Sequence, residues 1–274
     1  MKVLWFEVTQ PSQYGEDGLV IGGWQDSLEH IVRETNEIQL SIAFVSEKYS
    51  KPKVVDGVKY IPINIKWGRV EKFFCKHWDL YVKKVIPKAY EIVVQESPDL
   101  IHIFGTEWPW GQIAKYTKVP IVIHIQGAIV PYNNAQYPPK YSVFDRLRHC
   151  GLNPIKMFAL WKSIINSNNW EKWEIDTWDK VSYYMGRTEW DKAISNILHP
   201  NRKYFHVDEA LRPIFFEDER KWVGCNNKKL KLISTGCGSF WKGPDMILKV
   251  AMILKKLDID FEWNIAGKMP NDIR

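Results

Sequence analysis

The chain has 274 residues, 45% hydrophobic and 26% charged, with a formal net charge of +6. This composition excludes a disordered or fibrous chain and supplies apolar residues for one large or two ordinary domains. The positive charge suits anionic partners such as phosphate groups or an anionic membrane surface, and no run of about 18 apolar residues is present to form a transmembrane helix.

The first segment, KVLWFEVT (2–9), reads as a strand; the opening turns acidic too early for a signal peptide, and the expected location is cytoplasmic. A loop ending in Gly22 and Gly23 follows, then WQDSLEHIVRE, in which Trp24, Leu28, Ile31 and Val32 share one helical face. IQLSIAFVS (38–46) and VKYIPINI (58–65) predict two more strands, and 69–96 carries helically spaced apolar residues among lysines. DLIHIFG (99–105) and PIVIHIQG (120–127) are short apolar runs that end in glycine. KVSYYMGR (180–187), KYFHVDEA (203–210), LKLISTGCG (230–238) and FEWNIAGK (261–268) complete the predicted strands.

Apolar strands alternating with helices predict an α/β fold built on a parallel sheet. Ligands of such sheets bind beyond the carboxyl ends of the strands. That rule directs attention to Gly22 and Gly23, 105–107, Gln126 and Gly127, 186–189, Asp208 and Glu209, and 236–243. The polar stretch 216–229 is the expected boundary. It separates a first domain, 1–215, from 230–274, where two strands and one helix have too little surface to cover for a domain of their own.

Glycines after a first strand let backbone N–H groups approach an anion at a helix N-terminus, although Gly22 and Gly23 also suit an ordinary tight turn. The pattern G-x-G-x-x-G is absent, which disfavours a dinucleotide enzyme. TGCGSFWKGPDMIL combines strand, turn, Lys242, glycine and helix, a layout for holding phosphate; it is not a Walker A loop, because Gly243 follows the lysine. Two segments, 66–88 with seven Lys/Arg and 140–162 with five, interleave aromatic residues. Such helices lie on anionic membranes or form charged outer faces; no nucleic-acid motif accompanies them. His102, His124 and His206 near strand ends read as structural. Cys75, Cys150, Cys225 and Cys237 are widely spaced and read as free thiols, not as a metal site.

Taken in order, GGWQDSL, DLIHIFGTEWPWG, IVIHIQG, MGRTEWDKA, YFHVDEALRPIFF and ISTGCGSFWKGPDMILKVAMILKK…FEWNIAGK resemble retaining glycosyltransferases of the GT-B fold, the group 1 (family 4-like) class. The resemblance runs over nearly the whole chain. It implies two Rossmann-like domains, the first on the acceptor side and the second binding a UDP- or GDP-linked sugar. It also implies transfer to a saccharide or lipid-linked acceptor in polysaccharide or glycan biosynthesis, with no metal, no cofactor and no nucleic acid, and a peripheral place at the inner face of the membrane.

The resemblance places donor-phosphate contacts on Gly22, Gly23 and Lys242. Glu107, Gln126, Gly127, Arg187, Glu189, Asp208 and Glu209 become the candidates for the donor-sugar or acceptor cleft, and no catalytic residue is assigned. Cys237 stands where the family's phosphate-binding arginine is usual, Gln126 where a histidine closes the strand, and Asp208 where an asparagine is usual. The family's glutamate pair, spaced E-x7-E, has no counterpart after Gly267. The expectation is therefore a donor domain cut off after its first βαβ unit, in a chain inactive or partial by itself. Two alternatives stay open: a non-catalytic acceptor-binding remnant, and a peripheral membrane interaction protein.

Overall fold

Apolar runs of β-branched and aromatic residues become strands here because both of their faces are covered: Leu4, Phe6, Ile42, Phe44, Ile101 and Ile103 are inaccessible to solvent. The structure, a computed structural model, describes residues 1–14, 23–74, 79–135, 142–221, 224, 229–238 and 242–267. In chain order the elements are β1 (Lys2–Glu7), α1 (Gly23–Glu34), β2 (Gln39–Ser46), β3 (Lys53–Val55), β4 (Val58–Asn64), α2 (Arg69–Phe74), α3 (Asp79–Glu96), β5 (Leu100–Phe104), β6 (Ile121–His124), α4 (Ile129–Ala135), α5 (Val143–Cys150), α6 (Pro154–Trp178), β7 (Tyr183–Gly186), α7 (Glu189–Leu198), β8 (Lys203–His206), α8 (Ile214–Glu217), β9 (Leu230–Thr235), α9 (Pro244–Lys256) and β10 (Phe261–Ala266). Short 3-10 helices lie at Ser12–Tyr14 and Pro109–Lys115. The chain falls into two compact units, one of Met1–Asn133 with His149–Glu217, the other of Asn134–Arg148 with Asp218–Arg274.

The first unit holds an eight-stranded sheet in the order β3-β4-β2-β1-β5-β6-β7-β8. Seven strands are parallel, and β3 pairs antiparallel with β4. Periodicity does not predict β3, which is three residues long. The hairpin that returns it turns at Asp56 and Gly57, both with positive φ, as a two-residue Asp-Gly turn requires. Strand order reverses between β1 and β5, the position where ligands of such sheets collect.

One face of the sheet packs Leu4, Phe6, Ile103 and Ile123 against Val85, Ile86 and Ala89 of α3, with Trp110 and Trp178. The basic segment 66–88 thus turns Val85 and Ile86 into the core, and its Lys84 pairs with Glu71 at 2.5 Å. On the other face, Val3, Trp5, Ile42 and Phe44 lie beneath Tyr14 and the Trp24, Leu28 and Val32 stripe of α1. Farther along that face, Leu100, Pro120, Val122, Tyr183, Met185 and Phe205 line an apolar groove of about 300 Å³.

In the second unit β9 and β10 run parallel, from Leu230 beside Phe261 to Thr235 beside Ala266, with α9 between them in sequence. Every second residue of both strands is largely exposed. Cys150 and Cys237 are buried free thiols; Cys75 and Cys225 lie outside the described residues.

Candidate functional site

The site begins where β5 and β6 end, beside the reversal of strand order. Gly105 has φ +85°, a conformation that costs glycine little and other residues much. A Cβ there would stand 2.2 Å from Glu107 Oε2, and one on Gly127 would stand 2.7 Å from Glu107 Oε1. Two missing side chains therefore let the Glu107 carboxyl lie against the ends of both strands. Burial, reinforced by the Glu174 charge, pushes the Glu107 pKa up to about 7, while backbone hydrogen bonding and Arg187 act against the rise.

Glu174 reaches this place from α6 and is almost fully buried. Its Oε2 accepts from the Val130 N–H at 2.8 Å, and its Oε1 meets Thr106 Oγ1. Thr106 Oγ1 also lies 2.9 Å from the Gly127 carbonyl oxygen. The Thr106 hydroxyl has one proton to share between these two acceptors. Burial raises the Glu174 pKa.

Arg187 follows β7 and is held from behind. Asp191 accepts from the Arg187 and Thr188 N–H groups at 3.0 Å each, and Thr188 Oγ1 accepts from the Asp191 N–H at 3.0 Å. That capping box opens α7 and fixes the backbone of Arg187. Its guanidinium forms a 2.7 Å ion pair with Glu209 after β8. Gln126 brings a buried amide nitrogen that has no hydrogen-bond partner among the described residues. The neighbouring His124 ring is wholly buried, 4.9 Å from the Trp24 ring. Burial, with Arg187 nearby, pushes its pKa down to about 4, so it is a neutral imidazole.

Of the residues the sequence singles out, Glu107, Gly127, Arg187 and Glu209 come together, with Gln126 next in the chain. Glu189 turns to solvent and sits 3.9 Å from Lys192. Asp208 is also largely exposed, 3.3 Å from His206. Gly22 lies outside the described residues, and Gly23 opens α1. The surroundings of that helix end are acidic: Glu7 is buried, and burial together with Glu29 and Asp26 raises its pKa well above the usual range. A diphosphate there would have these carboxyls for neighbours, with Arg212 the cation that faces Asp26. Lys242 belongs to the second unit, exposed, one residue ahead of Gly243, the N-cap of α9. Cys237 is buried, with its thiol toward the Thr235 carbonyl oxygen at 3.7 Å.

Sequence reasoning misses Glu174 and Tyr132. Neither lies at a strand end or in a motif of the resemblance, although Glu174 is a buried acid on a helix, between Trp173 and Ile175. Tyr132 of α4 closes the other side of Gly127, where a Cβ would stand 2.9 Å from its hydroxyl. Gly127→Ala therefore displaces the tips of two side chains and no backbone. The expected result is a stability change within about 1 kcal/mol together with loss of the raised Glu107 pKa. Carboxyl titration followed by NMR in both proteins checks this, and an unchanged Glu107 titration would contradict it.

No family model and no curated protein matches the sequence. Solved structures do. Sucrose-phosphate synthase from Thermosynechococcus elongatus superposes with a TM-score of 0.56 at 9% identity, over 98% of this chain and 63% of that one. A putative UDP-N-acetylglucosamine 2-epimerase from Listeria monocytogenes gives 0.51 at 12% identity, over 100% and 64%. The fold is that of the GT-B proteins. The chain spans somewhat under two thirds of the length of these two GT-B structures. At such identities the likeness establishes the GT-B fold alone. One neighbour is named as a synthase and the other as an epimerase, so the reaction has to be argued from the site.

Proposed function

We propose that this protein is a glycosyltransferase of the retaining, group 1 type. It moves a sugar from a UDP- or GDP-linked donor to a saccharide or lipid-linked acceptor in polysaccharide or glycan biosynthesis. The observation that carries the reading is the Glu107 carboxyl, seated between Gly105 and Gly127 at the strand ends of a GT-B sheet, with a pKa raised to about 7. A group with that pKa exchanges protons near neutrality, which suits a general base. In the transfer, the acceptor hydroxyl oxygen bonds to the sugar carbon on the same face from which the diphosphate departs, which retains the anomeric configuration, and the bond to the diphosphate breaks with its electron pair leaving on the nucleoside diphosphate. The hydroxyl proton passes to Glu107. Arg187, held by Glu209 and by the Asp191 cap, orients hydroxyl groups beside it. Lys242 of the second unit is assigned to the donor phosphates.

The test follows sugar transfer from radiolabelled UDP- and GDP-sugars to saccharide and polyprenyl-phosphate acceptors. The rate is expected to rise with pH through about 7 as Glu107 ionises. Glu107→Gln is expected to lower kcat by about a hundredfold or more with little change in donor KM. Release of an epimerised nucleotide sugar, in place of a glycosylated acceptor, would sink the transferase reading. Absence of donor binding with either nucleotide would do so as well, whereas donor binding without turnover is the outcome expected of a partial chain.

A further inference from the structure

We infer that Glu107 and Tyr132 form a seat for one hydroxyl group of a neutral saccharide, across the bare Cα of Gly127. The seat rests on the transferase reading, in which Glu107 is the base, and adds the second group that holds the acceptor. Glu107, Gly127 and Tyr132 all belong to the first unit. A Cβ on Gly127 would stand 2.7 Å from Glu107 Oε1, 2.9 Å from the Tyr132 hydroxyl and 3.0 Å from Tyr132 Cε2. Two polar atoms this close to one point leave a gap that a single oxygen spans with two hydrogen bonds of ordinary length. Van der Waals contact sets a ligand oxygen farther from the Gly127 Cα than a bonded Cβ, toward the open side of the site. That side is reachable, because Tyr132 is 50% exposed and Glu107 is only partly buried.

Packing holds Tyr132 at this place. The helix α4 is tied to α6 on either side of it in sequence. The Val130 N–H donates to Glu174 Oε2 at 2.8 Å, while Asn133 Nδ2 donates to the Ser167 carbonyl oxygen at 3.0 Å and to Glu171 Oε2 at 2.8 Å. The Tyr132 hydroxyl has no hydrogen-bond partner among the described residues, so its proton is available to a ligand. The charged groups that face it are Glu107, Arg187, Asp191 and Glu174. Burial, then Glu107, with Asp191 and Glu174 adding to them, pushes the Tyr132 pKa up from its usual value, and Arg187 opposes the rise. At neutral pH Tyr132 is therefore a donor and not a base. The ionised Glu107 only accepts, the Tyr132 O–H donates, and a ligand hydroxyl answers both at once. An ammonium group, which only donates, or a carboxylate, which only accepts, answers one of the two. In the transfer the hydroxyl proton passes to Glu107 and the oxygen bonds to the sugar carbon. Tyr132 keeps its own proton, and its O–H faces the negative charge that builds on that oxygen.

The experiment follows the Glu107 carboxyl by carbon NMR in the whole chain and in Tyr132→Phe, with methyl glucoside, methyl galactoside and methyl mannoside as probes. At least one of the three is expected to move the Glu107 signal and to lower its pKa, because a hydroxyl that donates to the carboxylate favours the charged form. Tyr132→Phe keeps the ring and loses the donor. It is expected to weaken that saccharide by about threefold to tenfold, with the melting temperature and the Glu107 pKa of the free protein unchanged. In transfer assays the acceptor kcat/KM is expected to fall by at least the same factor, with donor KM unchanged and the inflection near pH 7 retained, since Glu107 still titrates there. Equal saccharide binding by the parent and Tyr132→Phe would overturn the seat and leave Glu107 in place as the base. A Glu107 signal that responds to none of the three saccharides would overturn it too. The transferase reading fails by a separate sign, loss of UDP- and GDP-sugar binding, which this titration does not involve.

Discussion

Glu107→Gln is expected to gain stability relative to the parent protein as pH rises. In the folded chain the Glu107 pKa is raised to about 7 from an ordinary value of 4.5. Between those two values the folded state holds a proton that the unfolded state has released. Stability therefore falls as pH rises across this window and levels off above it. At about 1.4 kcal/mol for each unit of pKa, the parent loses about 2–3 kcal/mol between pH 5 and 8 through this group. The glutamine variant has no such proton to lose. Urea unfolding of both proteins at pH 5, 6.5 and 8 measures the difference, with the variant drawing ahead at the alkaline end. Glu7 is raised in the same direction and remains in both proteins, so it cancels in the comparison. Parallel curves for the two proteins would show that Glu107 titrates as an ordinary carboxylate, and the proposed base would lose its basis.

Gly111→Ala is expected to cost about 3 kcal/mol of stability in the first unit. Gly111 sits in the 3-10 helix Pro109–Lys115, where Trp110 and Gln112 on either side of it are buried. A Cβ on it would stand 2.1 Å from Thr177 Cγ2 and 2.8 Å from Thr177 Oγ1. Thr177 cannot swing away, because it is buried and its hydroxyl accepts from Gln112 Nε2 at 3.2 Å. This contact is where α6 closes onto the core, three residues beyond Glu174, so the damage is expected to spread to the candidate site. Thr177→Ala removes both nearest atoms. The double variant is expected to be less destabilised than the sum of the two single ones, the signature of a shared clash. Additive losses would mean that the close approach at Gly111 does not limit the packing.

Much of the fold is legible in the sequence. Seven parallel strands of the first unit and the parallel β9–α9–β10 unit all stand where apolar runs and glycine-closed ends predict them. Strand β3 escapes because three residues give no period to detect. The site is legible in part. Glu107, Gln126, Gly127, Arg187 and Glu209 are picked out by their position after strands, but the same rule also picks Glu189 and Asp208, which face solvent. A strand-end position says where the backbone goes and leaves open which way the side chain turns.

The sequence by itself determined the class of element at each point in the chain, because apolar periodicity and glycine φ preferences act over a few residues. It also carried the acid-free run 146–170 at the start of α6, which is composition alone. Tertiary structure decided what distance along the chain conceals. It set the reversal of strand order between β1 and β5 and turned α3 toward the core while leaving the start of α6 in solvent. It carried Glu174 across 68 positions of sequence to Thr106. The raised pKa of Glu107 has the same origin: burial and a neighbouring carboxyl are properties of a packed site, and no local pattern of residues encodes them.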